Sequence, residues 1–416
     1  MQFKGTDKPL PEIARELEVD AVVEGSVLRA GKQVRITVQL MRAEPEEQLW
    51  SQSYQRDLSE ILVLQSEVAR AIAREIKIAL TPEEETRLAI VRKVSPAAHE
   101  AYLKGRFHWS TRTRRGTEKA IEYFEQARDK DPDYALAYVG LADCYHGLHE
   151  WGGLPRKPML AKARAAVQKA LTIDNKLGEA HATLAWLMVI MEWDWSGAEE
   201  HFKQALKLNS SYPRAHDLYA MFLTMMGRHE EAIAEGKQAQ ELDPFSVLLN
   251  VRAGDWYYFA RQYDRAIEEY LNVVDFDPNA GMARWGLGKA YVQKGMYEEA
   301  IAEIQKIPGG QDDFHAAMVR DFALGYAYGI AGKRGEALKV LNNLVDQSKQ
   351  RYVHPAHISY IYISLGEKDK AFEWLENAYK ERGGYLDLLK VDLWYDPIRD
   401  DPRFQDLLRR MNFPAE

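Results

Sequence analysis

The feature that most constrains this chain is a repeat of 34 residues in its central part. Residues 228–244 and 262–278 align with each other without a gap. Their aligned alanines, together with the next one along the chain, are Ala232, Ala266 and Ala300. A fixed period of this length indicates units that stack on their neighbours, because one unit alone cannot bury its apolar face.

Extending this register along the chain finds eight units. Each unit carries an alanine at the same position of its second predicted helix: Ala120, Ala163, Ala198, Ala232, Ala266, Ala300, Ala337 and Ala371. Small residues also stand on the preceding predicted helix, at Ala220, Gly254 and Gly288, and larger ones follow at Leu223, Tyr257 and Tyr291. Small side chains let two helix backbones approach closely, and the larger ones fill the space beside that contact. The pattern therefore predicts eight helix pairs.

Turn residues mark where these helices end. Gly227 and Gly295 predict the ends of first helices, and Asp-Pro at 131–132, 243–244 and 277–278 predicts the ends of second helices. The pattern departs from regularity where Asn175 and Ser210 replace the proline. It also departs at residues 145–163, where an insert predicts a longer loop, with a binding loop as the alternative.

The 34-residue pattern resembles the tetratricopeptide repeat, and the small, large and proline positions named above carry the resemblance. It implies a mainly α fold, a right-handed α-solenoid of about eight helix pairs over residues 98–379. Stacked pairs form a concave surface lined by the first helix of each pair. We therefore expect a protein or peptide partner to bind there.

Projecting the register onto that surface selects a groove of mainly aromatic and methionine side chains: Trp186, Ile190, Met221, Met225, Asp255, Tyr258, Phe259, Trp285, Lys289, Gln293, Phe322, Tyr326 and Tyr360. Large apolar patches normally mark contacts, so we predict that a peptide, a partner domain or another part of the chain lies in this groove. The alternative is that these side chains pack between neighbouring repeats. The set lacks the Lys and Asn ladder with which some tetratricopeptide domains hold a terminal carboxylate.

The N-terminal residues 1–80 follow a different pattern. A short helix is predicted at 11–19, with strands at 20–29, 33–43 and 48–57. In the second strand apolar and polar residues alternate, which predicts one buried and one wet face. An apolar stripe then predicts a long helix through Leu58, Ile61, Leu62, Gln65, Val68, Ala69, Ile72 and Ile76.

This region resembles the small α/β module that precedes tetratricopeptide repeats in bacterial signalling proteins. Such relatives look like winged-helix regulators, Ser/Thr kinases or adenylate and guanylate cyclases, with their effector domain farther upstream. The family's module begins with one more strand and helix, so the resemblance implies an incomplete module and a fragment. An unpaired strand is a template for association, so we expect self-association through this region.

The predicted domain organisation has four parts. Residues 1–80 form the α/β module, residues 81–97 connect it, residues 98–379 form the repeat array and residues 380–416 cap the array. In the capping segment Asp401 and Pro402 predict a helix start, and Phe404, Leu407 and Leu408 form its inner stripe. A solenoid needs such a polar terminal helix to cover its last repeat.

Charge and composition exclude several classes of function. The net charge of −8 argues against nucleic-acid binding, and we interpret the basic cluster at 106–115 as a solvated loop rather than a phosphate site. The single Cys144 excludes an intrachain disulfide and a cysteine-based zinc site. No apolar run reaches the roughly 18 residues that a membrane helix needs. We predict a cytoplasmic location; the periplasm requires an upstream membrane segment.

Catalytic, cofactor and metal-binding patterns are not found in the sequence. The glycines at 286 and 288 follow no predicted strand, so they indicate helix packing rather than a phosphate loop. His146 and His149 lack the spacing of a metalloprotease and are interpreted as core or loop residues. Asp255 and Lys289 are the only candidates for a catalytic cleft, and we interpret them as a surface pair.

These features predict a non-enzymatic interaction scaffold, the sensory or regulatory part of a bacterial signalling or transcription-regulatory protein. The alternative is a fragment of a DNA-binding regulator, or of a kinase or cyclase, whose effector domain lies upstream of this chain.

Overall fold

The computed structural model describes residues 8–16, 19–30, 33–57, 61–75, 94–150, 154, 156–308, 314–350, 352–383 and 385–414. The chain divides into two compact units, and each is described by itself. The first consists of residues 1–103 with 126–134, and the second of residues 104–125 with 135–416. None of the helices in the described residues has the length and apolar character needed to cross a membrane.

The first unit contains a three-stranded antiparallel sheet of order β1-β2-β3. Its elements are α1 (Leu10–Glu16), β1 (Ala21–Ala30), β2 (Gln33–Arg42), β3 (Glu47–Asp57) and α2 (Ile61–Glu75). The predicted short helix, three strands and long helix are therefore confirmed. Val38 lies opposite Gly25 on one side and Gln52 on the other, and it is buried with Val34 and Leu40.

The covered face of this sheet does not extend over β1. Val23 and Val27 pair with Leu40 and Ile36, so they lie on the same face as the buried residues of β2. Yet Val27 is 69% exposed and Val23 is 45% exposed. An apolar strip along the edge strand is thus left open to solvent.

The apolar stripe of α2 differs in part from the prediction. Leu64, which the prediction left out, is fully buried, whereas Ala69 is exposed. Val68 and Ile72 are half-buried. Leu58 and Ile76, together with the side chains of Ile61, Leu62 and Gln65, lie outside the described residues.

Eight helix pairs follow in the described part of the chain, as predicted. They are α3 (Pro96–Trp109) with α4 (Arg114–Lys130), α5 (Ala135–Glu150) with α6 (Arg156–Ile173), α7 (Gly178–Glu192) with α8 (Trp195–Leu208), α9 (Pro213–Met226) with α10 (His229–Leu242), α11 (Val247–Phe259) with α12 (Tyr263–Phe276), α13 (Gly281–Gln293) with α14 (Tyr297–Gln305), α15 (Phe314–Ile330) with α16 (Arg334–Ser348), and α17 (Pro355–Ser364) with α18 (Lys368–Glu381).

The register alanines lie where each second helix contacts its neighbours. All eight are at most 1% exposed. Two glycines of successive first helices, Gly254 and Gly286, face the ring of Tyr270, and a Cβ at either would come within 2.3 Å of it. Tyr270 is completely buried between them. Gly254 and Gly286 therefore make room for the ring of Tyr270, which the sequence pattern had not singled out as the large residue beside them.

The predicted helix ends are confirmed. Gly227 and Gly295 have φ values of 80° and 75°, a left-handed conformation that glycine adopts at little cost. Within residues 145–163 an insert was expected to form a longer loop. The connection from α5 to α6 runs over residues 151–155, whereas α9 and α10 are joined by residues 227–228; residues 151–153 and 155 lie outside the described residues, and the end of the insert, residues 156–158, belongs to α6.

The chain ends in two 3₁₀ segments, η1 (Leu386–Leu388) and η2 (Leu393–Ile398), followed by α19 (Pro402–Arg410). Asp401 caps α19, because its carboxylate accepts a hydrogen bond from the Arg403 amide at 3.0 Å. Phe404 and Leu407 are buried, as their positions in the predicted stripe require.

Candidate functional site

Polar side chains near the start of four consecutive first helices fix how the repeats stack. Each donates a hydrogen bond to the backbone carbonyl six residues earlier, in the turn that precedes the helix. The pairs are His181 with Asn175, His216 with Ser210, Asn250 with Pro244 and Arg284 with Pro278, at 2.7–3.2 Å. Since each bond ties a helix to the turn before it, this ladder orients the inner faces of α7, α9, α11 and α13.

The C-terminal segment covers part of the surface on which these inner faces lie. Trp394 of η2 stacks on Tyr326, with ring centroids 4.0 Å apart and planes 7° from parallel. Its ring meets Tyr360 edge-on at 5.0 Å and Phe322 at 6.1 Å. Leu393 belongs to the same buried cluster as Tyr258. The first helices α11, α15 and α17 therefore pack against the chain's own C-terminal residues.

A buried carboxylate anchors this segment. Asp392 accepts a hydrogen bond from the Tyr360 hydroxyl at 2.6 Å and another from the Trp394 amide at 3.1 Å. Burial raises the pKa of Asp392, and the bonds from Tyr360 and Trp394 offset only part of that effect. The segment thus packs into the array with this buried carboxylate hydrogen-bonded.

Two tryptophans, Trp193 in the turn before α8 and Trp195 at the first residue of α8, reach the far end of the second unit. The Trp193 indole donates to the Asp387 carboxylate at 3.1 Å, and the Trp195 indole donates to the Met411 carbonyl at 2.9 Å. Trp195 also stacks on Phe413 at 4.5 Å. These contacts join residues about 200 positions apart in the chain. The solenoid is therefore closed by its own C-terminal residues.

The inner surface that remains open forms a chamber of about 170 Å³. The first helices of six consecutive pairs line it, namely α5, α7, α9, α11, α13 and α15. The segment η1 closes one side. Four methionines give it a flexible apolar wall: Met221, Met225, Met282 and Met318. Trp186, Ile190, Phe259 and Trp285 extend this wall. Methionine side chains adapt to the shape of a ligand, so the chamber can receive apolar groups of varied form.

The charges of the chamber are largely paired. The Lys289 ammonium lies 3.1 Å from Asp255, which also accepts a hydrogen bond from the Tyr270 hydroxyl at 2.7 Å. The same ammonium lies over the rings of Trp285 and Tyr258, at 4.4 and 4.7 Å. Burial acts to raise the pKa of Asp255, but Lys289 and Arg252 outweigh it and lower that pKa. The interpretation of Asp255 and Lys289 as a surface pair is wrong, because Lys289 is buried among aromatic rings and the side chain of Asp255 is only 14% exposed.

Histidines form another part of the chamber wall. His146 and His149 are buried on α5, in keeping with a core role; His146 accepts from the Trp186 indole at 3.3 Å. Burial holds the pKa of His354 well below its ordinary value, so this ring is neutral near pH 7. No group of three or more His, Cys, Asp or Glu side chains in the described residues is arranged to hold a metal ion.

The structure brings eight of the thirteen predicted groove residues to the chamber: Trp186, Ile190, Met221, Met225, Asp255, Phe259, Trp285 and Lys289. The other five are not among its lining residues. Tyr258, Phe322, Tyr326 and Tyr360 are buried in packing that includes the C-terminal segment, and Gln293 is half-buried at the end of α13. Partner binding by the set stays a prediction.

Sequence reasoning missed eleven lining residues: His146, His149, Arg156, Arg252, Met282, Met318, Tyr352, His354, Tyr385, Asp387 and Leu388. Met282 and Arg252 lie one turn before Trp285 and Asp255 on the same helices, so a wider inner stripe would have found them. Tyr385, Asp387 and Leu388 lie beyond the last repeat. The 34-residue register gives no signal for their position.

Comparison with known proteins agrees with this architecture of stacked helix pairs around an inner surface. A tetratricopeptide repeat family model matches residues 109–177, 194–247 and 251–314, and a second one matches residues 356–383. Together the matches cover more than half of the chain. The chain belongs to the tetratricopeptide repeat family, whose members mediate protein–protein interactions.

Two curated relatives come from bacteria. A Rhizobium meliloti protein named "Putative adenylate cyclase 3" is 29% identical over 44% of this chain and 31% of its own length. The transcriptional regulator HilA of Salmonella typhimurium is 21% identical over 64% of this chain and 47% of its own length. The chain thus spans less than half the length of either relative.

Among solved structures, the APC/C hetero-tetramer Cut9-Hcn1 is similar to this chain with a TM-score of 0.48 and 16% identity. The similarity covers 71% of this chain and 52% of the Cut9-Hcn1 chain.

Proposed function

We propose that this chain is a non-enzymatic interaction scaffold that binds a partner peptide through the inner chamber, with apolar side chains of the partner seated among the methionines. The observation that carries the proposal is the chamber itself. Six successive first helices line it, and Met282 is still 39% exposed after the C-terminal segment has covered the neighbouring aromatic residues. An exposed methionine within an apolar concave wall is suited to contact with a partner.

The state of the chamber carboxylates favours binding over catalysis. Asp255 is held by Lys289 and Tyr270, and Asp387 accepts the Trp193 indole. Each carboxylate is therefore engaged in the protein's own contacts. A general acid or base needs to reach the proton that it transfers, and these groups face protein partners instead.

The names of the relatives support a role in bacterial signalling or transcription regulation. One is named as a cyclase and the other as a transcriptional regulator. We propose that this chain supplies the sensory or regulatory interaction surface of such a protein in the cytoplasm, with any effector activity supplied by another domain. Since the net charge is −8, a mobility-shift assay with this chain is expected to show no salt-sensitive DNA binding.

Peptide selection tests the chamber directly. Peptides displayed on phage are selected on the immobilised protein, synthesised, and titrated into wild type, Met282→Glu, Met221→Glu and Leu271→Glu. Met282 and Met221 line the chamber and are not fully buried, so a carboxylate there changes the surface and spares the core. Leu271 is an exposed residue of α12 outside the chamber and serves as the matched control.

We expect the selected peptides to lose at least about tenfold in affinity for the two chamber variants and to bind the control like wild type. Peptides that bind Met282→Glu and Met221→Glu as tightly as wild type would contradict the chamber as the binding site.

The exposed strip on β1 supports a second proposal, that the first unit self-associates. β1 is an edge strand of the described sheet, and Val23 and Val27 are exposed on its apolar face. Light scattering across a concentration series should show association of wild type, and Val27→Lys should reduce it, because a charge on the edge opposes pairing. A wild type that stays monomeric at every concentration would rule this out.

A further inference from the structure

A second apolar surface lies away from the chamber, at the end of the fifth helix pair. Phe276, the last residue of α12, is 67% exposed, and Phe245, in the turn before α11, is 51% exposed. Both are large rings that a helical array would ordinarily tuck against its neighbours. An exposed aromatic ring that lines a groove, as Phe276 does, is typical of a contact surface.

A depression of about 240 Å³ adjoins Phe276 and is formed by the two helices of this pair. The first turn of α11 contributes Val247 and Asn250. The last turns of α12 contribute Glu269, Asn272, Val273 and Phe276. The groove thus combines an apolar rim with two amides and one carboxylate, and it can seat both an apolar side chain and a polar neighbour.

The carboxylate in this groove forms no ion pair in the part of the chain that the structure describes. Glu269 is half-buried, and within the described residues it makes no ion pair or hydrogen bond. Burial raises the pKa of Glu269, the neighbouring Glu268 adds to the effect, and Lys237 opposes it without cancelling it. A half-buried carboxylate without a partner is costly, and a cation from outside would offset that cost.

The charge of the segments that form the groove is mainly negative. Residues 238–251 and 266–280 carry six carboxylates and no Lys, Arg or His, although Lys237, Arg252 and Arg265 lie directly beside these ranges. These carboxylates are Glu241, Asp243, Glu268, Glu269, Asp275 and Asp277. Such a field repels nucleic acid and anionic membranes and attracts basic groups.

We propose that this groove is a docking site for a basic, apolar peptide segment, in which a lysine or arginine faces Glu269 and an adjacent large apolar side chain packs against Phe276 and Val247. The site is distinct from the chamber, since it shares no lining residue with it. The array would then hold two partner segments at once, or one partner at two places.

The probe is a short fluorescent peptide of alternating leucine and lysine, with a leucine–glutamate peptide of the same length as the charge-reversed control. Binding to the full chain is followed by fluorescence anisotropy at low and high salt. We expect saturable binding of the lysine peptide that weakens as salt rises, and no saturable binding of the glutamate peptide.

Two pairs of variants locate the site. Glu269→Gln removes the groove carboxylate, whereas Glu268→Gln removes an equal charge one residue away on the exposed side. Phe276→Ser removes the exposed ring, whereas Leu271→Ser removes an exposed apolar side chain that lies outside the groove. All four positions are at least partly exposed, so equal melting temperatures should show that the fold is kept.

We expect Glu269→Gln and Phe276→Ser each to weaken binding by about fivefold or more, and the two control variants by less than about twofold. Equal losses in Glu268→Gln and Glu269→Gln would show attraction to the net charge alone and overturn the site. Binding of both peptides with equal strength, or binding that Phe276→Ser leaves unchanged, would overturn it too. Met282→Glu should leave this binding intact, which separates the groove from the chamber.

Discussion

Buried titratable side chains of the second unit each need a polar partner within the protein, because burial removes them from water. His216 and Asp392 show the two opposite cases. His216 is protonated more readily in the folded state than in the unfolded state, because its Nδ1 lies 2.6 Å from the Glu235 carboxylate. Burial raises the pKa of Asp392, so this carboxyl group is harder to ionise in the folded state than in the unfolded state. Stability therefore falls with rising pH in both cases, for different reasons.

The His216–Glu235 pair is expected to stabilise the protein more in mild acid than in base. Burial acts to lower the pKa of His216, but the bonds with Glu235 and the Ser210 carbonyl outweigh it and raise that pKa above 6.5. The stabilisation is fully present below the unfolded pKa and is lost as pH rises through the folded one. Glu235→Gln should thus lower the melting temperature more near about pH 5.5 than near about pH 8.5.

A thermal melt series over this range checks the pair, with Glu241→Gln as a control at an exposed carboxylate of the same helix. If the difference in melting temperature between wild type and Glu235→Gln is the same at every pH, His216 does not titrate in this way.

For Asp392 the expected change of stability with pH has the same direction but a different origin, because here burial of the group itself opposes its charge. Since its folded pKa is raised above 3.8, stability is highest below that value and falls as pH rises through the folded pKa. Asp392→Asn keeps an acceptor for Tyr360 and Trp394 and removes the charge, so it should match or exceed wild-type stability at neutral pH. Asp392→Leu removes the acceptor and should cost about 2 kcal/mol. Urea unfolding of both variants measures this, and an Asn variant weaker than the Leu variant would contradict it.

At the scale of the element, the polar ladder ties each first helix to the turn before it. Its most strongly bonded member is Arg284, which donates to the Pro278 carbonyl and meets Glu303 of α14 at 2.6 Å. Arg284→Met fills a similar volume but leaves the Pro278 carbonyl without its donor and leaves Glu303 bonded to Lys306 alone. We expect a loss of about 2–3 kcal/mol in urea unfolding, because unsatisfied buried acceptors are costly.

Arg265→Met provides the control for this change, since Arg265 is an exposed residue that bonds only to Gln262 and Tyr257 nearby. An equal, small loss in both variants would mean that the ladder does not hold the helices in place.

The helix pairs could be predicted from sequence because the same packing demand recurs at a fixed spacing. Ala232 and Ala266 are small for the same reason, namely that each faces the neighbouring helix at a distance only alanine permits. The inner face could be predicted from the same register, which placed Met221 and Trp285 at the chamber. The extent of the insert within residues 145–163 was harder to predict, because extra residues can also lengthen the helices beside a loop, as residues 156–158 do at the start of α6.

The path of the C-terminal segment could not be predicted in this way. Where Trp394 meets Tyr326 depends on the curvature of the array, which sums small rotations from every repeat. The segment itself has no repeat register and runs through two 3₁₀ turns. Tyr385, Asp387 and Leu388 therefore reach the chamber through long-range packing alone, and the local sequence gives no sign of it.

At the scale of the whole molecule, these contacts change how the array should respond to damage. An open solenoid has only nearest-neighbour contacts, so a local defect spreads mainly to adjacent repeats. Here Trp193 and Trp195 of the third pair contact Asp387 and Met411 beyond the eighth pair. The second unit should therefore behave more cooperatively than an open array.

Hydrogen exchange of Trp394→Ala tests this closure most directly. Removing the buried ring should cost about 3–5 kcal/mol locally and release the segment that carries it. The account predicts faster exchange in the distant residues 190–195 and 251–259, as well as in α15 and α17. Trp374→Ala, at a half-buried ring of α18, should affect only its own pair and its neighbours. Faster exchange confined to residues 355–410 in Trp394→Ala would contradict a solenoid closed by its own C-terminal segment.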